Sequence, residues 1–547
     1  MKKYIYIFVA VGFIFLSGLC AVFAAPPRDW KHLRSKPHGF KPCRLLPKEN
    51  IRALQARGAL RMAGAGGIIS PTTKKVLVIR VQFPGSAAIS TSKTATETFF
   101  SNLRTYYAEN SYGLLTVTST VTSTVYTLPS SISSYNTETE TALQKLITDS
   151  VNLAKTGNDF SLYDHIMIYH AGRGEEESYN QSDLWSLFYG YIFTVNSKLF
   201  EGFTIVPELS AFGSPLAVIC HEYGHQLGLP DLYNTTGDAS STCGAWSLMD
   251  YAYGADNLGS NPPHLDPWSK DFLRFIDLTS RDVSSSGTGL RLGDIETCQT
   301  TGFYKISVSP ASKEYFIVEL RQPDALKTNY DLSIPGSGLV IWHIDDAIAM
   351  DAARLALNTV NSGTPHLGVD LVEADKTAYF PPGEAADAFA AGSTFSAPLS
   401  NTFNNVLTSI TLTDIVITSG LSTFSLVKLA SRSAMEVSKI INYPNPAGAA
   451  YFHPRKTGNV LTTLVFHLSK PPETMEAAIY TLSGERVLQI GQEKLTFNYA
   501  PSGNYKWVFQ FDWDGKNSAG EAVATGVYIY RIKADNEIKV GKLAIVR

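Results

Sequence analysis

Cysteine is scarce in this chain of 547 residues, which contains five. Cys20 falls in an N-terminal segment that we expect to be removed, which leaves Cys43, Cys220, Cys243 and Cys298. Four thiols are too few for a disulfide framework, so a small disulfide-stapled fold is excluded and hydrophobic cores must hold the structure. One bridge among the last three is expected in an oxidising compartment, although spacing does not fix the pairing.

Charge is also sparse and nearly balanced. The 46 Lys and Arg residues against 49 Asp and Glu residues give a net charge of −3, and charged residues make up 17% of the chain. The basic excess of nucleic-acid-binding proteins and of polybasic membrane anchors is missing, so neither kind of contact is predicted. The 44% hydrophobic and 11% aromatic content argues against a disordered chain.

Long hydrophobic runs are missing after the N-terminus. Residues 4–22 form one such run behind two lysines, and small residues precede a cleavage site after Ala24. Residues 1–24 are therefore predicted to be a signal peptide, and the protein to be secreted or held at the cell surface. A membrane anchor is the weaker interpretation because the run is barely of spanning length, and Leu19 disfavours a lipoprotein anchor at Cys20.

The remaining chain divides by composition into four parts. Residues 25–72 are basic and end in a Gly-rich stretch, as expected of a pro-segment or linker that would make the protein a zymogen. Residues 73–280 indicate an α/β unit, residues 281–430 a β-rich extension and residues 440–547 a separate β-sandwich. The elements predicted most clearly are strands over residues 75–83, 164–170, 304–308, 314–320 and 338–344, and helices over residues 96–108 and 137–154.

The strongest chemical signal is in residues 214–233, SPLAVICHEYGHQLGLPDLY. Ser214 can cap a helix whose first position is Pro215. His221 and His225 are four residues apart on this helix, so their imidazoles share one face and can reach a common Zn²⁺ at about 2.0–2.1 Å. The alternative for such a short motif is an ordinary helical surface that carries two histidines.

The residues around the two histidines extend the motif. Glu222 can hold a metal-bound water instead of binding the metal, and Gly228 lets the helix end so that the chain bends back. Asp231 falls ten residues after His221, where a carboxylate can complete a three-ligand site with an open position for water. Other carboxylates that could supply the third ligand instead are Glu319, Asp250 or a Glu within residues 175–177.

A short segment downstream matches a second motif. Residues 247–251, SLMDY, follow the helix after a brief loop. An S-x-M-x-Y sequence after H-E-x-x-H-x-x-G-x-x-[HD] has the arrangement of the metzincin Met-turn. Met249 is therefore expected to form an apolar floor beneath the zinc.

These motifs resemble those of the immune inhibitor A family of secreted metallopeptidases. The matching residues occur in the family's order at 106–117, 170–176, 185, 221–233, 246–249, 315–322, 338–345 and 371–375. The resemblance implies a metzincin-like α/β (α+β) zinc peptidase domain that cleaves proteins or peptides. It further implies that His221 and His225 bind one catalytic zinc and that Glu222 is the general base.

Two further positions follow from the same comparison. By similarity to other metzincins, Tyr251 would stabilise the oxyanion that forms during peptide hydrolysis, against the alternative of a packing role. Arg274-Phe275 departs from the pattern, because a Gly-Trp pair is expected at this place.

Weaker features lie outside the motif. Residues 175–177 are three consecutive glutamates that are a candidate Ca²⁺ site, with a solvated loop as the alternative. Cys43 invites a cysteine-switch hypothesis, in which its thiolate fills the open position of the zinc, although an ordinary thiol is favoured. His343 and His366 are expected to be structural histidines.

The C-terminal region resembles the immunoglobulin-like domains related to the flagellar hook-capping protein and to type IX-type sorting modules. The resemblance is carried by residues 443–446, 480–487, 513–515, 526–531 and 542–543. Trp513 and Tyr528 are predicted core anchors, with Asp514-Gly515 in a hairpin turn. For such a domain, sorting by secretion machinery, attachment to the cell surface and simple spacing are open alternatives.

The sequence thus predicts a secreted zinc endopeptidase that is made as a preproprotein. One alternative is a surface adhesion protein on which the peptidase site is vestigial, but an intact motif with His221, Glu222, His225, Asp231 and Met249 argues against it. A second alternative is a zinc hydrolase that acts on a substrate other than protein.

Overall fold

The computed structural model describes residues 68–547 apart from short gaps at 87, 136–138, 212, 237–240, 311, 324–329, 363–365, 376–382, 429–436, 446, 449–459, 469–471, 473, 500–506 and 536. The predicted signal peptide, nearly all of the predicted pro-segment and Cys43 lie outside the described residues. Within the described part, no helix combines the length and the apolar character needed to cross a bilayer.

The chain forms two compact units. The first comprises residues up to 282 together with 291–390 and 417–422, and the second comprises residues 283–290, 391–416 and 423–547. The domain boundaries suggested by the sequence stay a prediction.

The secondary-structure bounds of the first unit follow the chain. Its helices are α1 Lys93–Asn110, α2 Glu140–Ala154, α3 Glu175–Ser178, α4 Leu216–Leu227, α5 Pro267–Phe272, α6 Asp346–Ala349 and α7 Ala352–Leu357. Its strands are β1 Thr72–Gln82, β2 Leu115–Thr127, β3 His165–Arg173, β4 Leu187–Tyr189, β5 Phe193–Val195, β6 Lys198–Phe200, β7 Phe203–Leu209, β9 Phe303–Ser307, β10 Glu314–Arg321, β11 Gly338–Asp345 and β12 Val369–Leu371. The strand β8 Gly287–Gly293 precedes β9 in the chain.

A five-stranded sheet with the order β2-β1-β3-β7-β4 organises the α/β part of this unit. Strands β1, β2, β3 and β7 are parallel, whereas the edge strand β4 is antiparallel to β7. Alternate side chains of β1 enter different cores: Val76 and Val78 pack in one that includes residues of α1 and α4, while Leu77 and Ile79 pack in another with residues of α2. A strand covered on both faces explains its continuous apolar sequence.

The core on the α1 and α4 side extends far along the chain. It also contains Phe303 of β9, Ile317 of β10, Trp342 of β11 and Ala388. Strands β12-β11-β10-β9 form a separate antiparallel sheet of this unit. The residues that surround α4 therefore come from sequence well beyond residue 280.

Several predicted elements are confirmed within one to three residues, among them β1, β3, α1, α2 and β9 to β11. The predicted start of α4 is wrong by one residue, because Pro215 is the cap and the helix begins at Leu216. Ser214 Oγ accepts a hydrogen bond from the Leu216 amide at 3.2 Å, outside the helix proper. Strands β2 and β7 were not predicted from the sequence.

The second unit is built from strands. They are β13 Ile410–Thr418, β14 Leu421–Lys428, β15 Val437–Tyr443, β16 Ala447–Gly448, β17 Thr462–Leu468, β18 Met475–Thr481, β19 Arg486–Ile490, β20 Thr496–Tyr499, β21 Trp507–Trp513, β22 Gly526–Ala534 and β23 Glu537–Val546, of which β13 and β14 continue into residues of the first unit. Sheets β15-β17-β21-β20 and β16-β23-β22-β18-β19 both contribute to one core.

Trp513 and Tyr528 lie in this core with ring centroids 6.2 Å apart, as predicted. The hairpin prediction for Asp514-Gly515 is wrong, because the tight turn is four residues further on, where the Gly520 amide donates to Asn517 O at 3.0 Å. The mixed α/β fold class is confirmed, and the β-sandwich stays a prediction.

Candidate metal centre

Helix α4 positions three of the predicted site residues. His221, Glu222 and His225 are all buried on it, with Glu222 only 4% exposed. The hydroxyl of Tyr107 in α1 donates to Cys220 O at 2.6 Å, which ties α4 to its neighbour. The two imidazoles lie one turn apart with ring centroids 4.8 Å from each other.

A left-handed glycine returns the chain to the same place. Gly228 caps α4 with a φ of 110°, and its amide donates to Gly224 O and His225 O. A conformation of this kind favours glycine because a β-carbon would clash. The turn brings Asp231, which is fully buried, onto the face of α4 that carries both histidines.

Three donor atoms converge at this point. Asp231 Oδ1 lies 3.0 Å from His221 Nε2 and 3.1 Å from His225 Nε2, and the two Nε2 atoms are 3.2 Å apart. A tetrahedral ion with bonds of about 2.0–2.1 Å has ligand atoms about 3.3 Å apart. The three atoms thus form one triangular face of such a coordination sphere.

Backbone carbonyls fix the tautomers of both histidines. His221 Nδ1 donates to Leu248 O and His225 Nδ1 donates to Leu229 O, each at 2.8 Å. Carbonyl oxygens only accept hydrogen bonds, so both Nδ1 atoms carry a proton. Both Nε2 atoms are directed at Asp231 Oδ1, where each can either donate a proton to the carboxylate or bind a metal in place of that proton. Carbonyl partners of this kind commonly orient metal-bound histidines.

The electrostatics of the three residues are those of a cation site. Burial lowers the pKa of His221, but the hydrogen bond to Asp231 and the charge of that carboxylate outweigh it and raise the pKa to about 9. Burial opposes ionisation of Asp231, yet the charge of His225 and the bonds from both histidines hold its pKa well below the usual range. The site therefore attracts a positive charge, and metal binding would displace a proton.

The Met-turn supports the ligands from below. A β-carbon on Gly224 would stand 2.8 Å from Met249 Sδ, so the thioether packs directly against α4 between the two histidines. The Leu232 amide donates to Met249 O at 2.9 Å, which holds the residue next to Asp231. This contact is consistent with the apolar floor predicted for Met249.

The two predicted catalytic residues differ in their surroundings. Glu222 is close enough for its charge to raise the pKa of His221. Tyr251 is half-buried, and its hydroxyl donates to Asn257 Oδ1 at 2.6 Å. Tyr233 was not predicted, but its ring lies nearly parallel to His221 with centroids 6.4 Å apart.

Two of the alternative third ligands are bound elsewhere. Asp250 Oδ2 accepts hydrogen bonds from the Thr242 and Gly244 amides, both at 2.8 Å, and so holds the preceding loop. Glu319 Oε1 accepts from Trp342 Nε1 at 2.9 Å and pairs with Arg321, while burial raises its pKa to about 7. Neither residue joins the group at His221.

The consecutive glutamates are likewise engaged with the protein. Glu176 accepts hydrogen bonds from the Ser186 amide and hydroxyl, and Glu177 Oε1 accepts from the Tyr253 and Ser210 hydroxyls at 3.0 and 3.1 Å. These bonds occupy oxygens that a Ca²⁺ ion would need. Calcium at this place stays a prediction without a ligand group to support it.

His343 and His366, which were predicted to be structural, each lie close to a carboxylate. His343 Nε2 lies 3.1 Å from Glu314 Oε2, and His366 Nε2 lies 2.9 Å from Asp345 Oδ2. Both rings thus have carboxylate partners on or beside β10 and β11, as structural histidines commonly do.

A second cluster of metal-type side chains comprises Glu109, His264 and Glu296. His264 Nδ1 lies 3.0 Å from Lys270 Nζ, and His264 Nε2 lies 2.8 Å from Glu109 Oε1. An ammonium can only donate, so Nδ1 accepts, Nε2 carries the proton, and that proton is given to Glu109. The ring bridges a cation and an anion and leaves no lone pair for a metal.

The predicted disulfide is wrong. Cys220, Cys243 and Cys298 are all free, and the first two are buried in the core around α4. Burial raises the pKa of both buried thiols well above its usual range, so they stay protonated and act as small apolar side chains.

The departure at Arg274 has a structural explanation. Arg274 follows the end of α5 with a φ of 61°, and the Phe275 amide closes the turn by donating to Lys270 O at 2.8 Å. A left-handed residue after a helix is usually glycine, which accounts for the glycine expected there. Phe275 is buried at 2% exposure in the position expected for Trp.

One supporting residue of the site gave no signal in the sequence. Asn358, which follows α7, bonds to both the side chain and the amide of Asp231. The two residues are 127 positions apart, so neither periodicity nor motif spacing could connect them.

Comparison with known proteins bears on the same region. Residues 147–276 match the catalytic domain of immune inhibitor A peptidase M6. The chain carries a peptidase M6 domain. The resemblance predicted from the sequence is thereby confirmed over these residues, and the matched span is shorter than the region over which the motifs were recognised.

Two known proteins are similar to parts of this chain. One bears the name immune inhibitor A, and the other is named a metalloprotease. Immune inhibitor A of Bacillus thuringiensis subsp. alesti is 31% identical over 31% of this chain and 31% of its own length. The pre-pro-metalloprotease PrtV of Vibrio cholerae is 35% identical over 20% of this chain and 14% of its own length. The chain therefore spans under a third of either relative.

A solved structure shows a slighter likeness. PorZ, a bacterial surface component of the type IX secretion system of Porphyromonas gingivalis, is 13% identical with a TM-score of 0.17, covering 45% of this chain and 37% of its own. A similarity this low supports no conclusion about the C-terminal region.

Proposed function

We propose that this protein is a secreted zinc-dependent endopeptidase that hydrolyses peptide bonds in protein or peptide substrates. The observation that supports this most is the convergence of His221 Nε2, His225 Nε2 and Asp231 Oδ1 within 3.2 Å of one another. Two imidazoles and one carboxylate with tetrahedral spacing are a donor set typical of catalytic zinc, and they leave a position open for water.

Zinc supplies a Lewis acid when bound in such a site and lowers the pKa of its water from 15.7 to about 7. The chain supplies the rest. Leu248 O and Leu229 O keep one proton of each imidazole on Nδ1, so that both Nε2 atoms can bind the metal once a proton shared with Asp231 has been displaced. The Glu222 carboxylate, next to His221, is the general base that takes the proton of the attacking water and passes it to the leaving amine.

Oxyanion stabilisation is assigned to Tyr251. Its hydroxyl already has the orientation of a donor, since it donates to Asn257 Oδ1. In this role it would exchange Asn257 for the developing oxyanion of the substrate. A Tyr251→Phe variant should then lose turnover while keeping its metal content.

The other parts of the chain are assigned to export and attachment. Residues 1–24 act as a signal peptide and residues 25–72 as a pro-segment, consistent with the names pre-pro and metalloprotease borne by one relative. The C-terminal unit carries no catalytic set in its described residues and would contact the cell surface or secretion machinery.

The deciding experiment compares the chain without residues 1–24 with its Glu222→Gln variant, before and after limited activation by trypsin. Casein hydrolysis and zinc content are measured on each sample. The proposal expects about one zinc per chain in both, and cleavage by the Glu222 form alone. If neither form cleaves casein although both hold zinc, the endopeptidase proposal is wrong. The protein is then better explained as a binding protein with a vestigial site or as a hydrolase of another substrate class.

A further inference from the structure

Asn358 stands at the end of α7 in a conformation that few residues adopt. Its φ of 54° and ψ of 45° are left-handed, and its side chain is only 2% exposed. Asparagine tolerates this region better than most residues with a side chain. The backbone therefore aims the buried amide in a fixed direction.

That direction is towards Asp231. Asn358 Nδ2 donates to Asp231 Oδ2 at 2.5 Å, and the Asp231 amide donates to Asn358 Oδ1 at 2.7 Å. The side-chain amide of Asn358 thus hydrogen-bonds to both the carboxylate and the backbone of Asp231. Since Oδ2 is held by Asn358, the other oxygen, Oδ1, is the one that faces His221 and His225.

The residues that follow Asn358 make further hydrogen bonds to the segment around Asp231. We name residues 358–362 the clasp. Asn361 Nδ2 donates to Leu232 O at 2.8 Å, and Ser362 Oγ accepts from the Thr235 amide at 2.7 Å. The clasp therefore holds the turn that follows α4 at several points.

We propose that Asn358 is a positioning residue that makes Asp231 a one-oxygen metal ligand, so that zinc affinity depends on it. The inference rests on the zinc site of the proposed function, although not on peptidase activity. A neutral amide leaves the full negative charge on Asp231 while it blocks rotation of the carboxylate. Changes to such outer partners of metal ligands typically cost about 10–100-fold in metal affinity.

Two substitutions distinguish the effect of the Asn358 side chain from the effect of its left-handed backbone conformation. Asn358→Gly keeps the left-handed conformation and removes both hydrogen bonds to Asp231. Asn358→Asp keeps the volume and an acceptor for the Asp231 amide but sets a second carboxylate against Asp231 Oδ2. Asn405→Gly is the matched control, because Asn405 has the similar φ of 60° and belongs to the second unit.

Zinc dissociation constants are measured for the full chain without residues 1–24 by competition with a chromophoric chelator, and zinc-free thermal midpoints are recorded alongside. We expect affinity about 10–100-fold weaker for Asn358→Gly, weaker still for Asn358→Asp, and unchanged for Asn405→Gly. The zinc-free midpoint of Asn358→Gly should fall further than that of Asn405→Gly, because Asn358 is buried and hydrogen-bonded to Asp231 whereas Asn405 is exposed, so zinc affinity is compared only between samples that are folded at the assay temperature. Excess zinc should restore any casein hydrolysis that Asn358→Gly loses.

The outcomes distinguish this inference from the proposed function. Equal zinc affinity in Asn358→Gly and wild type overturns the inference alone. Weaker zinc binding in a series that never cleaves protein supports the inference and overturns the peptidase assignment. A wild-type chain that binds no zinc overturns both. If Asn358→Gly does not fold, Asn358→Asp decides, and unchanged affinity in that variant refutes the role.

Discussion

Met249 packs its sulfur so closely against Gly224 that a β-carbon there would lie 2.8 Å from it. The helix that carries His221 and His225 therefore rests directly on the Met-turn, with no side chain between them. Leu248 O, in the same turn, accepts a hydrogen bond from His221 Nδ1 at 2.8 Å. Displacement of Met249 should thus disturb both the packing and a candidate ligand.

Gly224→Ala tests this contact. Alanine favours a helix by about 1 kcal/mol over glycine, but the overlap with Met249 costs about 1–3 kcal/mol. We expect a lower thermal midpoint and weaker zinc binding. Addition of Met249→Leu removes the sulfur, so the double variant should regain part of the loss. The loss caused by Gly224→Ala is measured once in the wild-type background and once in the Met249→Leu background. Equal losses in the two backgrounds would show that the overlap with Met249 is not the cause.

Arg274→Gly should stabilise the protein. A non-glycine residue in the left-handed region carries strain of about 1–2 kcal/mol, part of which is offset by the greater freedom of glycine in the unfolded chain. We expect a net gain below about 1 kcal/mol in thermal or urea unfolding. Arg274→Ala is the control, because it removes the side chain and keeps the strain. A gain with alanine equal to that with glycine would point to the arginine side chain instead.

Asp331→Ala should be strongly destabilising. Asp331 accepts hydrogen bonds from Arg321 Nε and Nη2 at 2.5 and 2.6 Å, and both residues are fully buried or nearly so. Removal of Asp331 takes away the two-point partner of a buried guanidinium and leaves it with the longer contact to Glu319, at a cost of about 3–5 kcal/mol. The exposed pair of Lys93 and Glu97 provides the comparison, since Glu97→Ala should cost below about 1 kcal/mol. Similar losses in the two variants would contradict this expectation.

Glu176→Gln should alter the dependence of stability on pH. Burial raises the pKa of Glu176 from 4.5 to about 7, against hydrogen bonds from Ser186 that lower it. The folded protein then binds this proton more tightly than the unfolded chain, so the stability it contributes is present below about pH 4.5 and is lost as pH rises through about 7. We expect Glu176→Gln to exceed wild type in thermal midpoint at pH 8, with little advantage at pH 4.

The exposed Glu485→Gln serves as its control. Glu485 lies in a turn of the second unit and should leave the pH profile unchanged. If the thermal midpoint of Glu176→Gln changes with pH in the same way as that of the wild type, Glu176 is not the cause of the pH dependence.

The parts of the structure that the sequence predicted depend on local signals. Apolar runs predicted β1 and β3, and the spacing of His221, His225, Gly228 and Asp231 predicted a group of donors that the structure brings together. Strand β2 escaped prediction because it is rich in Ser and Thr and is stabilised by parallel pairing with β1. Its register depends on a partner that sequence patterns do not identify.

The unpredicted part of the candidate site is distant in sequence. Asn358 and Leu248 act through an amide and a backbone carbonyl, which carry no motif. Asp250 and Glu319, which the sequence offered as alternative ligands, bond to other partners, namely the loop before residues 247–251 and Arg321. Only the folded arrangement shows which carboxylate is available.

The dependence of α4 on distant residues limits how far its motif can be transplanted. A graft of residues 214–233 into another scaffold would carry the donor atoms and Leu229 O, but not Leu248 O, the sulfur of Met249 or the amide of Asn358. Such a graft would be a chelating peptide whose imidazoles are free to change tautomer and whose carboxylate is free to rotate. The candidate metal-binding motif is thus short in sequence, but its geometry depends on contacts from residues as far away as Asn358.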